Sequence, residues 1–403
     1  MKKMIIICFI LLGSLISIPI LMLPYLAGKH PNRESNNGLS HDAKVLVQQA
    51  FQDLEFEWVD YHMHLLGLGT EQTYANAKML DWRNPFQLYR YKVYLKASGI
   101  TGETSANQEY LKRLNKLISE FPKPGKSYLL AFDKFYMPNG TVNETETEFY
   151  VANEYLERVI QNNPDQFLPI ISVHPFRPDA IEQLKKWHKQ GARFIKWLPN
   201  AMGMDPSDPK LLDYFTQVKA LDMVILTHTG IEIAVDSAGH QDYGNPLRWR
   251  TALDMGVKVI FAHVGSLGEC VNFEAKGQPK VPCFHLTIQM MSEDKYQNNL
   301  FADISAILSV NRKTEVVSTL LKRKDLHHRL VYGSDYPIPA INAMVSTKLL
   351  ASRGFLSKEE AKYLTEIYYQ NPLLFYFVLN RTIKHPETGD KFPASLFYMN
   401  SRI

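Results

Sequence analysis

The chain has 403 residues, 45% hydrophobic and 12% aromatic, enough to bury a large core as one large domain or two ordinary ones, which excludes a disordered chain. Its 45 basic and 41 acidic residues are mixed along the length and leave a net charge of +4, without the clustered basic stripe that nucleic-acid binding needs. Three cysteines without CxxC spacing exclude a disulfide scaffold, a zinc ribbon and a thioredoxin-like site.

Residues Met4 to Leu26 carry no charge and follow Lys2 and Lys3. As a helix, at 1.5 Å per residue, such a run is roughly 35 Å long, enough to cross a hydrocarbon core of about 30 Å. Residues 1–28 therefore read as a signal-anchor, a transmembrane segment. A cleaved signal peptide is the alternative, although its apolar stretch is normally shorter and Tyr25-Leu26-Ala27 is a poor cleavage site. Pro19 and Pro24 argue against a straight helix. Lys2, Lys3 and the terminal amine favour a cytoplasmic amino end, with Lys29 and Arg33 weakening the asymmetry, so the body of the chain is expected outside the cytoplasm, in a periplasm or extracellular space.

Residues 29–55 read as a polar tether followed by a lead-in helix from Asp42, with Val45, Leu46, Val47, Ala50, Phe51 and Leu54 mostly at helical spacing. The stretch Trp58 to His64 (WVDYHMH) comes next. In a strand, alternate residues share a face, so Asp60, His62 and His64 are expected on one side and Val59 and Tyr61 on the other. Two imidazoles side by side suit a metal; hydrogen-bonded histidines at a strand end are the other reading.

Further β-rich runs recur at Tyr128–Phe132, Leu168–Val173, Arg193–Trp197, Met223–Thr227, Lys258–Ala262, Leu300–Ile304 and Leu330–Gly333. Helical periodicity lies between them at Asp179–Gln190, Pro209–Ala220, Leu247–Met255 and Asn311–Leu321. With the run at Phe56–Tyr61 this makes eight repeats, which predicts an α/β fold, a (β/α)8 TIM-type barrel over residues 56–380. An open doubly wound sheet is disfavoured because no glycine-rich phosphate loop follows the first strand. The connections after strand one and from Val264 to Asn299 are long enough to cover a catalytic face. Within the second, Cys270 and Cys283 are placed to close a disulfide in an oxidising compartment. The tail, residues 381–403, is expected to wrap the barrel without a catalytic part.

Barrel enzymes place their chemistry at the carboxyl ends of the strands. There stand His62 and His64, then His174, Lys196, His228, His263 and Asp335, so that five of the thirteen histidines fall at strand ends. Packed or solvated histidines have no reason to gather so, and the pattern points to a metal site. Asp60 is a candidate to hold an imidazole tautomer, or a buried structural carboxylate, and His174 either lines the pocket or is a satisfied histidine opening a loop. Trp197, Arg248 and Arg250 are weak candidates for recognising an anionic or aromatic substrate.

The motifs VDYHMHL, GARFIKWLPN, LTHTG, FAHVG and GSDYP, with the ending EIYYQNPLLF, make the chain resemble the amidohydrolase superfamily, specifically its amidohydrolase-related branch of metal-dependent hydrolases and decarboxylases. The resemblance implies that His62, His64, His228 and Asp335 bind a divalent metal, Zn2+ above others, and that His263 polarises the substrate or orients the attacking water. It also implies two metals if Lys196 is carboxylated; a single ion, with Lys196 facing a substrate carboxylate, is the favoured reading. The expected reaction is hydrolysis of a C–N or C–O bond of a small substrate by metal-activated water, with Asp335 as proton shuttle. Non-oxidative decarboxylation at the same site is the alternative, and a catalytically silent, membrane-tethered binding protein is a third.

Deleting residues 1–40 is expected to give a folded, freely soluble domain, because the apolar run precedes the barrel and the tether is polar. The intact chain should sediment with membranes. Intact chain left in the supernatant, its amino terminus uncut, contradicts the anchor.

Overall fold

Eight short apolar runs form eight parallel strands in a sheet whose order follows the sequence. In this computed structural model, which describes residues 38–403, they are β1 (Trp58–His64), β2 (Gly125–Leu130), β3 (Phe167–Ile171), β4 (Phe194–Trp197), β5 (Val224–His228), β6 (Lys258–Ala262), β7 (Leu300–Asp303) and β8 (Leu330–Val331). The expected helices are present at Ala180–Lys189, Leu212–Ala220, Arg250–Asp254 and Thr314–Lys322, two of them preceded by a 3-10 turn. β8 is shorter than its apolar run. The barrel is closed instead by the chain beyond it: Tyr61 N donates to Tyr332 O at 2.9 Å, Asp335 N to His62 O at 2.7 Å and His64 N to Tyr336 O at 3.0 Å. The closing seam therefore runs through three of the proposed metal ligands.

The lower interior is filled by side chains from alternating strand positions, among them Val59, Tyr61, Tyr128, Phe194, Phe301 and Val331. The simple alternation expected of β1 does not hold, because its pairing with β2 slips between Asp60 and Met63. A bulge adds one residue and re-aims the side chains beyond it. Val59 and Tyr61 thus point into the barrel core, and so, one position out of phase, do His62 and His64 into the cavity above it.

The lead-in helix α1 (His41–Gln52) is capped by Ser40, whose Oγ accepts from Ala43 N at 3.3 Å. Its Phe51 stacks on Phe377 at 4.7 Å, inside the wholly buried helix α2 (Pro372–Thr382). Since α2 runs through Arg381, the tail begins two residues later than the sequence division at 380 placed it. It then crosses the amino-terminal end of the barrel, where Leu396 O accepts from Tyr332 N, Asn400 N donates to Tyr61 Oη at 2.8 Å, and Ile403 meets the interior. Among the described residues no helix is long and apolar enough to cross a membrane. The signal-anchor assigned to residues 1–28 lies outside the described residues, as does most of the tether.

Cys270 and Cys283 are joined in a disulfide with their Cα atoms 4.9 Å apart, beside a small antiparallel ribbon of Glu269–Val271 and Lys280–Pro282. Closing a loop of this size stabilises by about 3 kcal/mol on the chain-entropy account. Thiol titration of the unfolded, unreduced full chain should find one free thiol, that of Cys8, and Cys283→Ala should lower unfolding stability by about 3 kcal/mol. Three free thiols contradict the pairing.

Candidate metal centre

At the carboxyl ends of the strands a group of mostly buried imidazoles and carboxylates converges on one cavity. His64 Nε2 lies 3.1 Å from Asp335 Oδ1, and His62 Nε2 lies 3.6 Å from the same oxygen. These three residues offer ligand atoms within 4.8 Å of one another. His263 stacks against His62 with ring centres 5.0 Å apart, and His228 stands edge-on to His263 at 5.3 Å. Lys196 is buried with its Nζ 3.0 Å from His62 Nε2. The structure thus brings together His62, His64, Lys196, His228, His263 and Asp335, all of which line one cavity.

Local backbone serves this convergence. His263 and Asp335 both take left-handed φ angles, 57° each, costly for residues with a Cβ and retained where surrounding bonds dictate them. His263 N donates to Asp303 Oδ1 at 2.9 Å, and Asp335 N donates to His62 O. Gly333 is required beside them, because a Cβ there would meet His62 Cβ at 2.7 Å.

Asp303, at the end of β7, is the functional residue that sequence reading missed. Its Oδ2 accepts from His62 Nδ1 at 2.8 Å, and its Oδ1 accepts from His263 N, from Ser305 N at 3.0 Å and from the Ser305 hydroxyl. Burial alone would raise its pKa, but the His62 and His263 imidazoles and these hydrogen bonds hold it well below the carboxylate range. The proton of His62 is thereby assigned to Nδ1, and its Nε2 lone pair faces the cavity. Ser305 Oγ, which donates to Asp303, takes the Nδ1 proton of His263 at 2.7 Å, so the free lone pair of His263 is also on Nε2. The one signal available in the sequence was an acid at the end of strand seven, in register with the ligands of other strands.

Burial is the largest influence on each imidazole of the buried set, lowering His62, His228 and His263 and keeping them neutral, as metal ligation needs. Burial likewise brings Lys196 down to about 8, against the opposing pull of Asp335 and Asp303. For Asp335 burial would raise the pKa, but His263, His64 and His62 outweigh it and keep the carboxyl ionised. The decisive atom for a metal is His228 Nε2, which is buried and has no hydrogen-bond partner. Its Nδ1 faces Glu232 Oε2 at 3.4 Å, with Glu232 pinned by Val235 N at 3.0 Å. Buried without a partner, an atom such as His228 Nε2 costs stability unless a donor or a cation meets it. His228 shares the cavity with His62, His64 and Asp335 but lies outside their group of atoms within 4.8 Å, so the three fit a divalent ion at once and His228 fits as a fourth ligand only if it closes on them.

Other expected contributors lie elsewhere. Asp60 holds no imidazole: its Oδ1 accepts from His62 N and Ser334 N, both at 2.9 Å, tying β1 to the segment after β8. His174 is absorbed in structure, donating Nε2–H to Met202 O at 2.8 Å and accepting from Phe176 N at 3.1 Å. Trp197 packs outward against Trp249 and Tyr214. Arg248 is paired with Asp205 and Asp242, and Arg250 with Glu274 and Glu293. Of the two long connections, the one after β1 walls the cavity with Leu95 and Ile100 among others, as expected, whereas the one after β6 reaches it beyond His263 with Leu267.

No family model and no curated protein matches the chain. Solved structures do. An uncharacterised TIM-barrel protein from Bordetella bronchiseptica is 15% identical over 72% of this chain and 89% of its own, with a TM-score of 0.49. A 4-oxalomesaconate hydratase from Rhodopseudomonas palustris is 16% identical over 79% and 96%, with a TM-score of 0.42. A 5-carboxyvanillate decarboxylase from Sphingomonas paucimobilis is 14% identical over 72% and 92%, also with a TM-score of 0.42. Others bear the names amidohydrolase and metal-dependent hydrolase.

His62→Ala and His64→Ala should each abolish stoichiometric zinc, and Asp303→Asn should weaken zinc about 10- to 100-fold by releasing the His62 tautomer. Elemental analysis and competition with a chelator read both. Lys196→Ala should leave one ion per chain; a fall from two ions to fewer establishes the bridged, carboxylated form instead.

Proposed function

We propose that this chain is a metal-dependent hydrolase of the amidohydrolase type that cleaves a C–N or C–O bond of a small substrate. The observation that carries the reading is the unpartnered His228 Nε2 facing the cavity that His62, His64 and Asp335 also line. A divalent ion, zinc first, would be held by those four residues and would supply Lewis acidity and a water acidified toward neutrality.

The residues around it divide the remaining work. Asp335, ionised and 3.1 Å from His64 Nε2, accepts the proton of the attacking water and delivers it to the leaving group. His263, neutral and with Nδ1–H committed to Ser305, presents a lone pair and not a proton on Nε2, so it orients the water by accepting from it. Asp303 keeps both imidazoles in these tautomers. The cavity above offers about 240 Å³ to the centres of water molecules, room for a small organic substrate.

Decarboxylation at the same centre is a second reading, favoured by the buried Lys196 amine 3.0 Å from His62 Nε2, placed to pair with a substrate carboxylate. We also place the body outside the cytoplasm, tethered through residues 1–28; the Cys270–Cys283 disulfide supports an oxidising compartment.

Zinc-loaded protein screened against amides, lactones, esters and aromatic carboxylic acids should release acid with an amine or alcohol, and no CO2. Asp335→Asn should keep the fold and lose about 100- to 10,000-fold in turnover. Release of CO2 from the aromatic acids selects the second reading, and full turnover by Asp335→Asn removes the shuttle.

A further inference from the structure

Above the metal centre the cavity wall is apolar on nearly every side. Leu95 and Ile100 come from the connection after β1, Phe149 from the short strand Phe149–Val151 that pairs with Thr73–Ala75 of that connection, Ile341 and Met344 from the segment after β8, and Ile233, 56% exposed, stands at the rim. The tyrosines that line the space have their hydroxyls engaged: Tyr74 donates to Glu144 at 2.8 Å, Tyr91 to Glu103 at 3.1 Å and Tyr94 to Ala234 O at 2.9 Å. They offer ring faces to the interior. Ser98 is likewise spent on Tyr94 O, and Glu232 on its own loop.

One charged side chain outside the metal centre remains uncommitted. Arg312 follows β7 and lines the cavity, yet its Nε and Nη1 are shut off from solvent and have no hydrogen-bond partner. Asp335 and Glu232 act on it through space without a hydrogen bond, and it is near enough to His228 to disfavour that imidazole's protonation. A guanidinium with unpaired buried nitrogens is costly, and its planar fork matches a carboxylate. A phosphate dianion fits less well, since its second charge would face Asp335 and Glu232.

Resting on the hydrolase reading of the same centre, we propose that the site takes an anionic amphiphile: an amide or ester whose apolar acyl chain fills the Leu95–Ile100–Met344 wall and whose carboxylate, close to the scissile bond, pairs with Arg312. An N-acyl amino acid is the simplest member. In its hydrolysis the acyl C–N bond breaks and water adds across it. Oxygen goes to the acyl carbon and the proton passes by Asp335 to nitrogen, so that a fatty carboxylate and an amino acid leave with no oxidant or second reactant.

Calorimetry of the full chain without added metal, using N-acetyl-, N-hexanoyl- and N-decanoylglycine and their neutral glycinamides, tests the site apart from turnover. Affinity should rise about three- to fourfold per methylene until the cavity is full. The acid should bind about 10- to 100-fold more tightly than the amide of equal length. Arg312→Met should erase that ratio while still binding decanoylglycinamide, which also reports its fold; Arg312→Gln serves if the methionine variant does not fold. Equal binding of acid and amide by the native chain, an unchanged ratio in either variant, or affinity indifferent to chain length overturns the proposal. Adding zinc and assaying free glycine separates the two readings: the binding pattern without glycine release leaves the amphiphile site standing and removes hydrolysis, whereas hydrolysis of neutral substrates with no acid preference removes the amphiphile site alone.

Discussion

The carboxylate of Asp303 is the constraint on which the centre depends. Buried at the end of β7, it accepts from the side chain of His62 on β1, from the backbone of His263 after β6, and from Ser305 on its own strand end. One anion thus holds His62 directly and His263 through its backbone and Ser305, leaving Nε2 of each imidazole on the cavity side, where that of His62 meets Lys196 Nζ at 3.0 Å. Removing it would take the acceptor from four buried donors, each left unpaired at a cost of about 1–3 kcal/mol. The seam that closes the barrel reinforces the arrangement, because the hydrogen bond from Asp335 N to His62 O joins a carboxylate ligand to an imidazole ligand through the backbone.

Charge is balanced within this frame. Asp303 and Asp335 face Lys196 and Arg312, and the imidazoles between them stay neutral because burial outweighs the nearby anions. A divalent cation added to His228 Nε2 and its neighbours would meet two carboxylates already ionised, so binding requires little proton release. Apolar walls above the centre lower the local dielectric and strengthen every such interaction. The tail reaches across the amino-terminal end of the barrel, where Ile403 packs against the inner core.

Much of this was legible in the sequence, and the part that was not has identifiable physical reasons. The eight strands were readable because parallel strands buried on both faces appear as continuous apolar runs between turn residues. His62, His64, Lys196, His228, His263 and Asp335 were readable because a barrel brings every strand's carboxyl end to one rim. For His174 the same rule leaves pocket lining and a satisfied histidine opening a loop both open, and the second holds, its Nε2 meeting Met202 O; sequence position at a strand end carries no information about the direction of the chain beyond it. For Asp60 the structural alternative holds, and the bulge that follows it shifts the phase of His62 and His64 without leaving a mark in the residue pattern. Asp303 escaped because a single acid in an apolar strand reads equally as a strand terminus, and Arg312 because an arginine at the start of a helix usually faces water. Arg248 and Arg250 are partnered by acids up to 43 positions away, a pairing only the fold reveals.

The central claim is that His62, His64, His228 and Asp335 form one cation site completed by the otherwise orphaned His228 Nε2. A crystal structure of the zinc-loaded protein, with the ion located by its anomalous signal, tests it most directly. The account predicts one zinc with Nε2 of His228 and Nε2 of His62 each at roughly 2.0–2.1 Å and an Asp335 oxygen at a similar distance. Zinc bound away from His228, or His228 Nε2 still without a partner in a fully loaded crystal, would contradict it.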